Sequence, residues 1–345
     1  MPGTPYDVAS YYYSDGRPSQ DAVAQYFNET RDWVRARLAE ARTAGLVHTI
    51  VTPLGEGSES VQELAFELMA RWSSVSAHVV PGLERVMDEP PGDADKESIL
   101  LCACQRAGEV LDGLLHEAAA DNAHLAREQG WRGPRPVTLA VPWGRVAYYT
   151  ARLLRPKRAL ATLEVVPMCG VTGYHANPYE ANTVAATFAA AYGATAMQLA
   201  SPAVVPSADH ATVVNLPLVK DALNRACQAD VALTTVGAAN ENASTLARSG
   251  IVSYEYLRKV RAEGAAGEIA SYWWFKQEGE PIVLPTAVPV GLGIEGLSAL
   301  CAAGKHVIAV VAASNERVDP LRVALDHAFV NTLVTDEFTA RQLLK

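Results

Sequence analysis

Between Ser19 and Thr43 the apolar positions fall at helical spacing. Ala22, Val23 and Phe27 make one stripe, and Val34, Leu38 and Ala41, at i, i+4 and i+7, make a second. Ser19 and Thr30 stand where a helix start needs a side-chain acceptor. Asn28, between the stripes, suits a turn with unusual backbone angles. Gly45 is expected to stop the second helix, and "LVHTIV" (46–51) reads as a strand. Two short helices, a turn and a strand spell a winged helix-turn-helix over residues 1–53. In that motif the N-terminal side chains of the second helix enter a DNA groove.

After Pro53 the pattern changes to short β-branched runs separated by longer helical ones. Strands are expected at 137–141, 162–167, 195–199, 230–236, 306–312 and 331–335. Helices are expected near 96–120, 144–154, 177–192, 216–228, 253–263 and 335–344. Strand–helix alternation of this kind predicts an α/β fold, a doubly wound, mostly parallel sheet covered on both faces, here over 54–345. Residues 87–98 and 127–136 read as surface loops. The alanine-rich stretch "TVAATFAAAYGATAMQLASPAVV" is broken by Gly193 and carries Gln198, so it reads as a buried helix and then a strand, not a membrane span.

Composition narrows the reading. Of 345 residues, 49% are hydrophobic and 19% charged, which suits a globular chain and excludes a disordered one. The five cysteines show no CxxC and no Cys/His spacing for a metal, so they read as reduced thiols of a cytosolic protein, and no cofactor is implied. The N-terminus has no basic segment followed by an apolar run, and so no signal peptide. Net charge is −9, which by itself does not predict nucleic-acid binding. The charge near the front is nevertheless arranged. Arg31, Arg35 and Arg42 share one face of the second helix, and Asp32, Ala36 and Thr43 point away from the core. The candidate DNA-contacting residues are Thr30, Arg31, Asp32, Trp33, Arg35 and Arg37, with Trp33 on an exposed flank. The competing reading is a solvated helix face offset by Glu29, Asp32 and Glu40.

Ligands of parallel sheets sit beyond the carboxyl ends of the strands. Here those ends read "VPWGRV", "PMCGVTGYHANP", "VGAANENAST" and "AASNER", rich in glycine, alanine and small polar residues. Such ends let a ligand approach backbone N–H groups, and converging they predict a polar pocket. His175 is the one histidine at a predicted strand end. No carboxylate–histidine pair stands in these loops to serve as an acid–base couple.

Taken together, the helix-turn-helix stretch, "VPWGRV", the block "ADVALTTVGAANENASTLARSGIVSYEYLRKVRAEGAAGEIASYWWFKQEGEPI" and the closing "NTLVTDEFTARQLL" resemble, in order and spacing, the SorC family of sugar-responsive transcriptional regulators. The resemblance implies a sugar-isomerase-like domain used as a sensor. It also implies a homo-oligomer, a dimer or tetramer, on operator DNA, and an effector that is a sugar, polyol or sugar phosphate. It assigns Trp143, Gly144 and Arg145 to a first ligand loop, Gly170 and Gly173 to a second, and Gly237 and Asn240 to a third. Glu268 falls at an acidic position suited to sugar hydroxyls, and Arg317 is the nearby cation. Val146 stands where the family usually has threonine, and "AASNERVD" replaces a glycine-glycine-x-x-lysine stretch. Both departures favour an unphosphorylated effector. Ala36 stands where the reading helix often has arginine. Two alternatives remain open at this stage: a sugar-phosphate isomerase or deaminase on the same fold, and an oligomeric sensor whose helix-turn-helix serves only assembly.

Overall fold

In the computed structural model, which describes residues 3–13, 18–43, 58–82, 93–173, 177–242, 244–248 and 250–345, the chain divides into two units, Met1–Thr52 and Pro53–Lys345. The first holds α1 (Pro5–Tyr12), α2 (Gln20–Phe27) and α3 (Arg31–Thr43). Ser19 Oγ accepts from Ala22 N–H, Thr30 Oγ1 accepts from Trp33 N–H, and Asn28 takes the left-handed conformation at φ 56°. Ser19 thus opens α2, Asn28 stops it, and Thr30 opens α3. Val34, Leu38 and Ala41 are buried against Val23 and Ala24, as the spacing predicts. α1 was not expected. It is opened by Pro5 and by a reciprocal Thr4–Asp7 capping box, and it adds Val8 and Ala9 to the core. Gly45 and the strand expected at 46–51 lie outside the described residues.

In the second unit the order is α4 (Ser58–Arg71), β1 (Ser76–Val80), α5 (Asp93–Glu128), β2 (Val137–Val141), α6 (Arg145–Leu153), β3 (Leu163–Pro167), α7 (Ala181–Tyr192), β4 (Thr195–Ala196), β5 (Val204–Val205), α8 (Ser207–Val214), α9 (Pro217–Ala226), β6 (Val231–Thr234), β7 (Val236–Ala238), α10 (Thr245–Arg248), α11 (Tyr254–Ala262), β8 (Ala265–Ile269), β9 (Trp273–Lys276), β10 (Pro281–Ile282), β11 (Val288–Pro289), α12 (Gly293–Ala302), β12 (His306–Val311), α13 (Val318–Asp326), β13 (Thr332–Asp336) and α14 (Glu337–Leu344). Seven strands form one sheet in the order β1-β13-β12-β6-β2-β3-β4, and every pairing is parallel. Two expected loops are shorter than read from the sequence: 93–98 already belong to α5, and so do Arg127 and Glu128.

The strands are near-continuous apolar runs because both faces of the sheet are covered. Along β12, Val307, Ala309 and Val311 enter one core while Ile308 and Val310 enter the other. The first core is closed by α4, α12, α13 and α14, the second by α5, α6 and α7. The alanine-rich stretch forms α7, ends at Gly193 (φ 65°) and leads into β4. Among the described residues no helix is long and apolar enough to cross a membrane. A smaller antiparallel sheet, β10-β9-β8-β7, stands beyond the C-terminal end of β6. From β2 the chain builds outward through β3 and β4 on one side, while β6, β12 and β13 lie on the other. The order therefore reverses at β2/β6, which opens a crevice at those strand ends.

Candidate functional site

The crevice is a cavity of about 860 Å³, lined from four strand ends. From the end of β2 come Trp143, Gly144 and Arg145. Gly144, at φ 115°, turns the chain into α6, leaves that helix without a side-chain cap, and donates its N–H to Tyr179 O at 2.8 Å. An uncapped helix start presents free donors and a partial positive charge. Arg145 also pairs with Glu97 at 3.3 Å. The loop after β3 supplies Thr172, Gly173, Asn177, Tyr179 and Glu180. The buried Glu180 carboxylate accepts from Thr172 N–H at 3.1 Å and from Thr172 Oγ1. β6 and β7 bring Thr235 and Gly237, and Arg248 and Arg317 add two more guanidinium groups.

Glu268 comes from β8, directly opposite Gly237 in the antiparallel pairing. It is 8% exposed and lines the cavity. A Cβ on Gly237 would fall 2.1 Å from Glu268 Oε1, so the carboxyl occupies the space that only glycine leaves open. Its Oε2 is buried with no hydrogen-bond partner. Burial pushes the Glu268 carboxyl up from 4.5 to about 7, against the pull of the Arg317 charge and the Tyr272 N–H. The turn that follows is strained. Ala270, Ser271 and Tyr272 have φ of 51°, 64° and 75° in succession, and none is glycine. Left-handed non-glycine residues cost on the order of 1–3 kcal/mol each and gather where function fixes them. Here the turn brings Ser271 to the cavity wall and sets the Tyr272 ring beside Trp143, centroids 6.4 Å apart.

Seven of the nine effector residues expected from sequence therefore converge: Trp143, Gly144, Arg145, Gly173, Gly237, Glu268 and Arg317. Two do not. Gly170 is buried against the 201–202 backbone, where a Cβ would lie 2.4 Å from Pro202 O, so it serves packing. Asn240 is off the cavity wall, and its carbonyl accepts from Ser244 N–H in the turn toward α10. Thr172, Asn177, Tyr179, Glu180, Thr235, Arg248 and Ser271 were not singled out. Several lie inside the strand-end stretches that pointed to the pocket, but nothing local marks them. His175 lies outside the described residues. Among the described residues no cluster of three His, Cys, Asp or Glu is placed to hold a metal.

On α3, Arg31 and Arg35 are exposed, and each has an acidic neighbour: Asp21 at 3.7 Å for Arg31 and Asp32 at 3.3 Å for Arg35. Trp33 corrects an expectation. It is not on an exposed flank but half-buried on the small core, with its ring 6.1 Å from Phe27 and under the Arg37 guanidinium at 5.4 Å. Arg37, also paired with Glu40, is committed within the unit. Nothing is described of the Arg42 side chain.

A family model described as "Putative sugar-binding domain" matches residues 132–345. The chain is 25% identical over 338 residues to a protein of Bacillus subtilis named "Deoxyribonucleoside regulator", covering 97% of this chain and 94% of that one. It is 23% identical over 340 residues to the transcriptional regulator LsrR of Klebsiella pneumoniae, covering 98% and 91%. The full-length sorbitol operon regulator SorC of Klebsiella pneumoniae has the same fold, with a TM-score of 0.66 at 19% identity over 99% of this chain and 98% of that one. With its sugar-binding domain matched over most of its length and its fold shared end to end with a full-length regulator, the chain belongs to the SorC family of sugar-binding transcriptional regulators.

Proposed function

We propose that the crevice at the ends of β2, β3, β6 and β12 is the effector site for a small carbohydrate. In this reading Met1–Thr52 is the operator-reading domain and Pro53–Lys345 the sensing domain. The observation that carries the site is Glu268: a buried carboxyl with an unpartnered oxygen, in a cavity that also presents three arginines, two threonines, a serine and an asparagine. Buried polar groups are normally hydrogen-bonded, and a carboxylate accepting from vicinal hydroxyls meets that need. Trp143 offers a hydrophobic wall for the carbon face of a sugar. Arg31 and Arg35 supply exposed cations on α3, and in this reading the protein acts on DNA as a dimer or tetramer.

The carbohydrate is bound and not turned over. The relatives named as regulators support that reading. Glu268, whose carboxyl burial raises to about 7, would suit a general base, so the same panel is assayed for isomerisation. The test of the site is a thermal-shift screen with D-ribose, 2-deoxy-D-ribose, ribitol, D-sorbitol and their phosphate esters; deoxyribose is included because one relative is named for deoxyribonucleosides. A ligand at 100 times its Kd stabilises by about 2.7 kcal/mol. The shift must disappear in Arg317→Ala if the site is the crevice. A shift that survives that change places the ligand elsewhere.

A further inference from the structure

We propose that Glu268 links effector binding to protons: its ionised carboxylate accepts hydrogen bonds from effector hydroxyls, so binding releases a proton and tightens as pH rises through neutrality. This rests on the proposed effector site and states how that site is regulated.

The geometry leaves Glu268 little choice. Antiparallel pairing on both sides sets it between Gly237 and Trp274. Oε1 lies over Gly237, and Oε2 is buried without a partner at the wall of the cavity. A carboxyl so placed has two ways to satisfy its oxygens: it binds a proton, or it accepts from a ligand that enters the cavity. A hydroxyl-rich ligand selects the ionised form, because a carboxylate accepts at both oxygens and a protonated carboxyl must also donate.

The surroundings determine which group responds. Gly237 on β7 and Trp274 on β9 do not titrate. The turn after β8 contributes Ser271 and the Tyr272 phenol, which burial pushes further up. The loop after β3 contributes the Cys169 thiol, which burial pushes to about 12. Both stay neutral between pH 6 and 8. Burial lowers Arg317, ahead of α13, but a guanidinium is not deprotonated in proteins, and Glu180, ahead of α7, already accepts from Thr172. Glu268 itself, raised to about 7, changes charge within the window. A ligand that binds only the ionised form loses affinity about tenfold from pH 8 to pH 6, and releases about half a proton per site at pH 7.

The experiment is titration calorimetry on the full chain with the tightest binder at pH 8 among D-ribose, 2-deoxy-D-ribose, ribitol, D-sorbitol and their phosphate esters. It is run at pH 6, 7 and 8 on wild type and E268Q, and at pH 7 in two buffers of different ionisation enthalpy. The expected result is a tenfold weaker wild-type affinity at pH 6 than at pH 8, beyond any change that E268Q also shows. The buffer pair is expected to report net proton release from wild type, a readout that stands even if E268Q does not fold. Equal pH dependence in the two proteins, or proton uptake by wild type, overturns the linkage and leaves the effector site standing. No binding by any of these compounds overturns the effector site, and the linkage with it.

Discussion

Replacing Gly237 by alanine tests the floor on which the Glu268 carboxyl lies. The new Cβ would sit 2.1 Å from Oε1, 2.9 Å from Cδ and 3.0 Å from Cγ of Glu268. All three are closer than carbon and oxygen atoms approach without repulsion, so the carboxyl must move. The backbone itself accepts alanine, because the φ of Gly237 is not in the left-handed region. The clash is thus with one side chain, and that side chain is buried. Overpacking of this size costs about 1–3 kcal/mol. We expect Gly237→Ala to lose about 2 kcal/mol in urea denaturation and to weaken carbohydrate binding, since the displaced carboxyl no longer faces the cavity. The cause is isolated by a double-mutant cycle. In a Glu268→Ala background the three atoms nearest the added methyl are gone, so Gly237→Ala should then cost less than about 0.5 kcal/mol, and the two changes couple by about 1.5 kcal/mol. Additive effects would show that the clash with Glu268 is not what Gly237 avoids.

Two further predictions concern stability and charge. Glu268 is raised from 4.5 to about 7, so the folded state binds more protons than the unfolded one between those values, and stability falls as pH rises through that window. E268Q, without bound ligand, should therefore be more stable than wild type at pH 8 by up to about 3 kcal/mol, with the gain fading to nothing below pH 4.5; a stability difference that does not vary with pH would contradict the burial effect. On α3, Arg35→Ala should weaken operator binding and flatten its salt dependence while leaving the melting curve unchanged, because its pair with Asp32 is exposed. Trp33→Ala should instead melt the first unit, with DNA binding lost as a consequence, since the ring packs on Phe27 and over Gly3; a stable Trp33→Ala protein with selectively lost DNA binding would return Trp33 to the reading surface.

The parallel sheet was readable because its strands are buried on both faces, and their apolar runs leave no other place to go. β2 was read at 137–141, as found, and β3 to within a residue. β1 was missed: "SAHVV" is short, mixed and at the sheet edge, and only its pairing with β13 defines it. The small antiparallel sheet was missed because its key turn, 270–272, contains no glycine, proline or asparagine, and a lone serine, Ser271, is only a weak turn signal. The same gap hides the core of the site. Gly237 and Glu268 were each noticed, one as a strand-end glycine and one through family resemblance, but their contact depends on an antiparallel register that neither stretch encodes alone. Arg248 reaches the cavity from α10, and Glu180 is tied to Thr172 across eight residues, so both are products of tertiary assembly. Arg248 also alters the charge balance that favoured an unphosphorylated effector. It adds a third guanidinium to a cavity from which a lysine and a threonine hydroxyl were found missing. Trp33 was misplaced because a large aromatic beside arginines fits a nucleic-acid surface as readily as a small core. Gly3 and Phe27, its neighbours in space, are far from it in the helix pattern.

In the proposed function a carbohydrate in the Glu268 crevice controls how this chain holds DNA. The most direct measurement is fluorescence anisotropy of the full-length protein on labelled DNA from upstream of its own gene, with and without the compound that gives the largest thermal shift, in wild type and in Arg317→Ala. Coupled sites alter each other's affinity by the same factor, typically about fivefold or more. The prediction is a change of at least that size in wild-type DNA affinity at saturating compound, and none in Arg317→Ala, whose crevice no longer binds it. Unchanged wild-type DNA affinity at saturation would contradict that function.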